Sequence, residues 1–411
     1  ILVVIFVLFQ VAMPKFTILQ TLIDRLNLVS REILTGIPVI RAFSREKHEE
    51  DRFEKANLDL TKTNLFVNRC MTFMMPLMML IMNGVSVLII YSGAHAVDNG
   101  TMQVGNVMAF IQYAMQIIMS FLMITAMSIM LPRANVAALR IDEVLKTEVS
   151  IQDPETPVHP SESVKGEIEF DHVSFAYPEA GENVLTDISF KAKKGQTIAV
   201  IGSTGSGKST LINLIPRYYD VTKGSVKVDG VDVRDMTQKE LRDKLGYVPQ
   251  KGVLFSGTID SNIRYGKPEI TDAQVKEAAE VAQATEFIDT KPEKYESPVS
   301  QGGTNVSGGQ KQRLSIARAI AKDPEIFIFD DSFSALDFKT DSQLRKALKE
   351  YTKDATTVIV AQRISTILGA DQIIVLDDGH MAGIGTHKEL MANCEVYQQI
   401  ARSQLSEEEL A

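Results

Sequence analysis

Long stretches without a charged residue restrict how this chain can fold more than any other feature of its sequence. Asp, Glu, Lys and Arg are absent from three stretches: residues 1–14, 70–95 and 99–132. The second and third are longer than the roughly 20 apolar residues with which a helix crosses a hydrocarbon core about 30 Å thick. We therefore predict membrane-spanning helices over about 1–18, 70–96 and 103–131. The alternative, buried core helices, would require a soluble domain to hide two such stretches in tandem.

Basic residues orient these predicted spans. They gather between the first and second spans and after the third, among them Lys15, Arg25, Arg41, Arg45, Lys47, Arg69, Arg133 and Arg140. The short connection 97–105 carries Asp98 as its single charged residue. Because basic residues favour the cytoplasmic side, we predict a multi-pass protein of the cell membrane whose second and third spans turn outside the cell. We expect cytoplasmic helices over 19–69, with a break at Gly36 and Pro38.

Composition divides the chain into a membrane part, 1–146, and a soluble α/β part, 165–405. Residues 147–164 are polar and rich in proline, which indicates a linker, and 406–411 form a tail. Strand-like runs alternate with helical stretches in the α/β part: Thr197–Ile201, Asp272–Ala284, Lys311–Ala321, Ile326–Phe329, Thr357–Val360 and Ile373–Leu376. The chain opens with Ile1 inside an apolar run, so we expect earlier spans to be missing from it.

Charge and cysteine content exclude two classes of function. The formal net charge is −9, from 43 basic and 52 acidic residues. This balance lacks the basic excess that electrostatic binding to nucleic acid requires, so we expect no nucleic-acid partner. Cys70 and Cys394 are too few and too far apart in sequence to indicate a metal site or a disulfide framework.

A glycine-rich loop follows the predicted strand Thr197–Ile201. Nine consecutive residues form it: Gly202, Ser203, Thr204, Gly205, Ser206, Gly207, Lys208, Ser209 and Thr210. A strand, a glycine-rich loop and a Lys-Ser pair that opens a helix place backbone N–H groups around nucleotide phosphates. We predict that Lys208 reaches the β and γ phosphates of ATP and that the Ser209 hydroxyl binds Mg²⁺.

Two further motifs belong to the same chemistry. The apolar strand Ile326–Phe329 delivers Asp330 to its carboxyl end, where ligands bind in open α/β sheets, and we predict that Asp330 holds Mg²⁺. A second glycine-containing motif precedes an apolar-periodic helix: Ser307, Gly308, Gly309 and Gln310. Ser307 can cap that helix, and the two glycines allow backbone N–H groups to approach an anion.

With these motifs, in this order, the chain resembles the ATP-binding cassette (ABC) transporters over nearly its whole length. The resemblance implies an ATPase-driven exporter half-transporter: an α-helical transmembrane domain, here the last three of six spans, followed by an α/β P-loop NTPase of the ABC type in the cytoplasm. It also implies that the segment Gly36–Ser44 is close to a coupling helix that docks on an ATPase domain.

The resemblance assigns roles to individual residues. Tyr177 matches the aromatic residue that stacks on adenine, and Gln250 matches the glutamine that touches Mg²⁺ or water. Ser307–Gln310 match the signature that meets the γ-phosphate of ATP held on a second nucleotide-binding domain. The loop that crosses the dimer interface corresponds to Ser334, Ala335, Leu336 and Asp337.

The chain departs from the family pattern at two hydrolytic positions. Asp331 stands where the family ordinarily has Glu, the general base, and a carboxylate withdrawn by about 1 Å can cost about 10²-fold in rate. Gln362 stands where the family ordinarily has His, and glutamine can donate a hydrogen bond but cannot carry a proton or positive charge. We therefore expect the site to bind MgATP and to hydrolyse it slowly or not at all.

These departures predict a partner. We expect a second half-transporter, a different chain with Glu and His at the two positions. The resulting heterodimer, embedded in membrane lipid, would export a small amphipathic or apolar substrate across the cell membrane. The methionine-rich predicted spans suit such a substrate, although lipid contact also explains them. The alternatives are a slow homodimer, a lipid or peptide exporter, a membrane protein that ATP gates, and an ABC protein without transport activity.

Overall fold

The computed structural model describes residues 2–405, except residues 162, 179 and 268, and the predicted tail 406–411 lies outside the described residues. The chain forms two compact units, Ile1–Glu148 and Val149–Ala411. The first unit contains long helices. The second is an α/β fold, as the sequence predicts.

Three helices make up the first unit: α1 Leu2–Ala42, α2 Glu46–Asp98 and α3 Val104–Lys146. The predicted break at Gly36 and Pro38 is wrong, because α1 continues through both residues. A proline removes a single backbone hydrogen bond, and the others of a 41-residue helix remain. The chain instead turns after Ala42, where Ser44 adopts a φ of 51°.

Two segments of this unit are long and apolar enough to cross a membrane, Pro76–Asp98 and Val104–Phe121. Only 11% and 6% of their apolar windows are buried within the chain, which differs from the core helix of a soluble protein. Val104–Phe121 lies within the third predicted span, and Pro76–Asp98 overlaps the second and ends two residues beyond it. Most side chains of the first predicted span, 1–18, lie outside the described part of the structure.

The second unit contains three sheets. Twelve strands form them: β1 Ile168–Phe175, β2 Leu185–Ala192, β3 Thr197–Gly202, β4 Lys223–Val228, β5 Val231–Asp232, β6 Leu245–Val248, β7 Gly257–Thr258, β8 Pro298–Val299, β9 Ile326–Asp330, β10 Thr356–Val360, β11 Gln372–Asp377 and β12 His380–Gly385. The sheet orders are β2-β1-β4-β5, β12-β11-β3-β10-β9-β6 and β7-β8. The four strands that the sequence predicts are all present, in the central sheet.

Ten α-helices accompany these sheets: α4 Lys208–Leu214, α5 Gln238–Asp243, α6 Ile259–Ile263, α7 Asp272–Val281, α8 Thr285–Asp289, α9 Gly308–Ala321, α10 Phe338–Tyr351, α11 Ile364–Ile367, α12 His387–Asn393 and α13 Glu395–Gln404. Helix α9 begins three residues before the predicted start at Lys311, because Ser307 caps it with its side chain. Short 3₁₀ turns occur at Arg264–Gly266, Lys294–Glu296 and Gln301–Gly303.

The central sheet places four loops at one edge. Strands β11, β3, β10, β9 and β6 are parallel, and β12 pairs antiparallel with β11. Strand β9, Ile-Phe-Ile-Phe-Asp, is buried throughout, as expected of a central parallel strand covered on both faces. The segments that follow β3, β10, β9 and β6 therefore lie side by side at the carboxyl edge, where α/β folds bind ligands.

Candidate nucleotide-binding site

The glycine-rich loop connects β3 to α4 in a backbone conformation that requires glycine. Gly205 and Gly207 have φ angles of 87° and 94°, in the left-handed region. A Cβ at Gly202 would lie 2.1 Å from the carbonyl oxygen of Leu376, so this residue packs directly against the neighbouring strand. At Gly205 a Cβ would meet nothing within 4 Å, so open space lies beside the loop at this residue.

Two side chains of the loop are prepared for an anion. Lys208 Nζ donates hydrogen bonds to the carbonyl oxygens of Gly202 at 2.9 Å and Ser203 at 2.7 Å. Burial lowers the pKa of Lys208, while the nearby carboxylates of Asp331 and Asp330 raise it. The hydroxyl of Ser206 is buried and has no hydrogen-bond partner in the described part of the chain. A phosphate would provide acceptors for both side chains.

Of the three residues predicted to contact Mg²⁺, Ser209 and Asp330 are in direct contact with each other, whereas Gln250 donates to Asp331. Ser209 Oγ donates to Asp330 Oδ1 at 3.0 Å. Burial raises the pKa of Asp330, and the neighbouring Asp331 raises it further, whereas the hydrogen bond from Ser209 and the charge of Lys208 lower it. A bound cation would offset the cost of burying this carboxylate. Hydroxyl and carboxylate oxygens are the ligand types that Mg²⁺ prefers, so this pair fits the ion.

Asp331 lies at the centre of the hydrolytic positions. Its Oδ2 accepts hydrogen bonds from Gln250 Nε2 at 3.2 Å and from Gln362 Nε2 at 2.8 Å. The three residues follow β9, β6 and β10, so the strand order β10-β9-β6 brings them together. Asp331 is buried and has a φ of 44°, a conformation that Asp adopts more readily than most residues.

Tyr177 lies against the start of helix α4. Its hydroxyl is 3.0 Å from Thr210 Oγ1. The Tyr177 ring packs edge-on against Phe175 and Tyr219, with ring centroids 4.9 Å and 5.1 Å apart. This aromatic group adjoins the glycine-rich loop, as adenine stacking requires, and Tyr219 is a component that the sequence analysis missed. The adjacent tyrosines at 218 and 219 were its only signal.

The signature residues begin helix α9. Ser307 Oγ accepts from the Gln310 backbone N–H at 3.3 Å, and Gln310 Oε1 accepts from the Ser307 backbone N–H at 3.1 Å, which completes a capping box. Ser307 and Gly308 are exposed. Further along α9, Gln312 donates to the carbonyl oxygen of Pro249 at 3.1 Å, which connects this helix to the segment that carries Gln250.

Loop Ser334–Asp337 connects the site to helix α10. Ser334 Oγ donates to the carbonyl oxygen of Asp331 at 2.9 Å, and Asp337 caps α10 by accepting from the Thr340 backbone N–H at 3.0 Å. That hydrogen bond lowers the pKa of Asp337. The side-chain hydrogen bonds of Ser307 and Gln310 among the described residues stay within their own capping box, and none reaches the phosphate loop.

Two other residues of the site were not predicted. Ser332 is buried and donates to the carbonyl oxygen of Val248, which fixes the backbone beside Asp331. Gln404, the last residue of α13, donates to the Gln362 carbonyl oxygen at 2.8 Å and accepts from the Ile364 N–H at 2.9 Å. The sequence gives no signal for this contact, because 42 residues separate Gln404 from Gln362.

Comparison with known proteins supports the family that the sequence motifs indicate. Residues 185–334 match the ABC transporter family, and residues 1–121 match the ABC transporter transmembrane region. The chain is 46% identical to an uncharacterized ABC transporter ATP-binding protein of Mycobacterium bovis, over 95% of this chain and 68% of that protein. It is 39% identical to a candidate multidrug export ATP-binding/permease protein of Bacillus subtilis, over 88% of this chain and 62% of the relative.

A solved structure extends the comparison to the fold. The structure of a bacterial Atm1-family ABC exporter with ATP bound matches 99% of this chain and 71% of its own chain, with a TM-score of 0.82 and 28% identity. The match covers the long helices and the α/β unit. The chain therefore belongs to the ABC transporters, as an exporter half-transporter in which a helical membrane domain is followed by an ABC ATPase domain.

Proposed function

We propose that this chain is the hydrolytically weakened half of a heterodimeric exporter. The observation that supports this most directly is the contact of Gln250 and Gln362 with a single oxygen of Asp331, at 3.2 Å and 2.8 Å. A general base must leave an oxygen free to orient water. Here two amide donors on Oδ2 hold the carboxylate in place, and the aspartate side chain is one methylene shorter than the glutamate of the family, so Oδ1 would have to reach the water from further back.

Nucleotide binding remains competent in this proposal. The loop amides, Lys208 and the unpartnered Ser206 hydroxyl hold the phosphates, and Tyr177 receives the adenine. Ser209 and Asp330 hold Mg²⁺, which neutralises charge on the phosphates when it is bound. Gln362 stands where the family ordinarily has a histidine. Among the described residues that contact Asp331, none supplies an imidazole in its place. The site therefore binds MgATP and turns it over slowly.

The signature would give this chain a role in hydrolysis at the partner's nucleotide site. Ser307–Gln310 are exposed or half-exposed, and among the described residues their side chains form no hydrogen bond to the chain's own phosphate loop. In the partner's site they would contact the γ-phosphate, while the partner supplies Glu and His. ATP binding would close the two ATPase domains, and hydrolysis at the partner's loop would reopen them. This cycle drives transport only through the difference in ATP affinity between closed and open states.

A small amphipathic or apolar molecule is the proposed substrate. The candidate multidrug exporter of Bacillus subtilis among the relatives supports this class. Exposed methionines of α3, such as Met108, Met119 and Met123, provide the adaptable apolar surface that varied substrates require. Substrate-stimulated ATPase activity in vesicles, measured with apolar dyes, phospholipids and hydrophobic peptides, distinguishes this substrate class from lipids and peptides. The same stimulation distinguishes a pump from a membrane protein that ATP only gates.

The pairing is tested by comparing matched acid-to-amide variants. The full-length chain is purified alone and with a half-transporter that carries Glu and His. We expect the single chain to bind ATP with little hydrolysis and the pair to hydrolyse it at least about 10²-fold faster. In the pair, replacing the partner's Glu by Gln should abolish activity, whereas Asp331→Asn should leave most of it. Robust magnesium-dependent hydrolysis by the single chain would instead establish the homodimer.

A further inference from the structure

A second cavity lies on the α/β unit away from the phosphate loop. Its volume is about 350 Å³, within the range of small-molecule pockets. The first residues of β3 and the middle of β10 form its floor, and helices α10 and α11 form its walls. The phosphate loop, by contrast, follows the last residue of β3. None of the residues predicted to bind nucleotide lines this cavity.

The floor contains a buried hydroxyl with nothing to bind. Thr357 is 5% exposed, and its Oγ1 has no hydrogen-bond partner among the residues that the structure describes. It pairs in register with Thr197 on the adjacent strand, so two threonines occupy one side of the floor. Ala199 and Ile359, two residues further along each strand, make the rest of the floor apolar. Burying an unpaired hydroxyl is unfavourable, and a ligand that bonds to it would remove that cost.

The rim carries positive charge. Lys349, in the last turn of α10, and Lys353, two residues after the helix ends, are both exposed, and neither forms an ion pair within the described part of the chain. Arg345 is fixed by Asp341 at 3.0 Å and by the carbonyl oxygen of Ser365 at 2.9 Å.

One acidic side chain lies among the lining residues. Asp371 accepts from the Thr197 backbone N–H at 2.7 Å. Formally, one acidic and three basic side chains line the cavity, which favours an anionic occupant.

We propose that this cavity binds a small organic anion, a carboxylate or a phosphate monoester with a compact apolar body. The anionic group lies at Lys349 and Lys353, the body packs on the apolar floor, and a polar atom reaches the Thr357 hydroxyl. Because α10 begins directly after the loop Ser334–Asp337 and α11 begins two residues after Gln362, the occupant contacts two helices that adjoin the nucleotide site.

The test measures binding to the full-length protein in lipid nanodiscs at saturating ATP, so that the phosphate loop is already occupied. The probes are benzoate, phenyl phosphate and the neutral analogue phenol, followed by ligand-observed NMR and by thermal unfolding. We expect at least one of the two anions to bind and phenol to bind at least about tenfold more weakly. A comparison of benzoate with phenyl phosphate identifies the anionic group. Equal binding of phenol, or no binding of either anion at millimolar concentration, would overturn the proposal.

Three variants locate the site. Lys349→Ala combined with Lys353→Ala should weaken anion binding about tenfold or more. Lys346→Ala, on helix α10 but outside the lining, should leave it unchanged. Thr357→Val keeps the side-chain shape and should weaken binding without lowering thermal stability, because the hydroxyl bonds to nothing in the described structure. Unchanged ATP binding verifies that each variant is folded. Anion binding that survives both the double lysine variant and Thr357→Val would rule this cavity out.

Discussion

One methylene at position 331 separates the proposed weakened nucleotide site from the family pattern. Glutamate at this position would extend the carboxylate further from the backbone. The aspartate lies at hydrogen-bond distance from two amides, Gln250 and Gln362. Both contacts use Oδ2, so Oδ1 is the oxygen left to orient a water, on a short side chain that two amides hold in place.

Restoring both family residues should therefore restore hydrolysis. We expect Asp331→Glu with Gln362→His to raise ATP turnover by the single chain by about 10²-fold, because the base gains reach and the switch position gains a protonatable ring. Phosphate release at saturating MgATP measures the effect. Asp331→Asn with Gln362→His is the matched control and should stay inactive. Turnover that does not rise would show that the deficiency lies elsewhere.

At Gly202, the last residue of β3, adding a single Cβ atom should destabilise the site. A Cβ at Gly202 would lie 2.1 Å from the Leu376 carbonyl oxygen, which belongs to the backbone of a buried strand and cannot move freely. We expect Gly202→Ala to cost about 1–3 kcal/mol of stability and to weaken ATP binding. Thermal unfolding and nucleotide titration measure the two effects. Gly181→Ala, with nothing within 4 Å, is the control and should be neutral.

At the scale of elements, the last helix stabilises a functional loop. Gln404 ends α13 and binds the backbone on both sides of residue 363, at the Gln362 carbonyl oxygen and the Ile364 amide. Neither hydrogen bond follows from hydrophobic periodicity, which assigns helices but does not say where their ends dock.

We expect Gln404→Ala to speed hydrogen exchange at the Ile364 amide and to destabilise the loop by about 1 kcal/mol for each hydrogen bond lost. Hydrogen exchange monitored by mass spectrometry measures the change. Gln399→Ala, on the same helix with an exposed side chain, should leave Ile364 protected. Equal protection in both variants would mean that Gln404 does not position this loop.

Element boundaries show what sequence can and cannot predict. Strands β3, β9, β10 and β11 follow from short apolar runs next to turn residues, and the phosphate loop follows from its glycine spacing. The start of α9 at Gly308 follows from the predicted cap, Ser307, which the structure confirms, whereas the continuation of α1 past Pro38 depends on the rest of a long helix. The meeting of two amides at Asp331 depends on strand order, which a single sequence does not specify.

At the scale of the whole molecule, the proposed heterodimer separates binding from hydrolysis. In that heterodimer the signature serine would act on the partner's nucleotide, so its loss should affect a site that contains none of this chain's phosphate-loop residues. Among the capping boxes of the described α/β unit, those at Ser307 and at Thr271 both use a glutamine as the third helical residue, Gln310 and Gln274.

Thr271 therefore provides a matched control for substitution of Ser307. Ser307→Ala and Thr271→Ala should each cost about 0.5–2 kcal/mol of stability through the lost cap. In the paired transporter, we expect only Ser307→Ala to reduce ATP hydrolysis, because only that hydroxyl faces the partner's γ-phosphate. Turnover and thermal unfolding are measured on both variants. Equal losses of turnover would assign the effect to helix stability alone.

The left-handed backbone at Asp331 narrows which mutations this lineage can accumulate. A φ of 44° is unfavourable for β-branched side chains and comparatively tolerable for Asp, Asn and Gly. Saturation mutagenesis of this codon should therefore recover folded protein with those three and lose it with Val or Ile. Glutamate, which the family ordinarily has here, is not branched at Cβ, so this backbone leaves open the one-methylene step that would return a longer general base to the subunit.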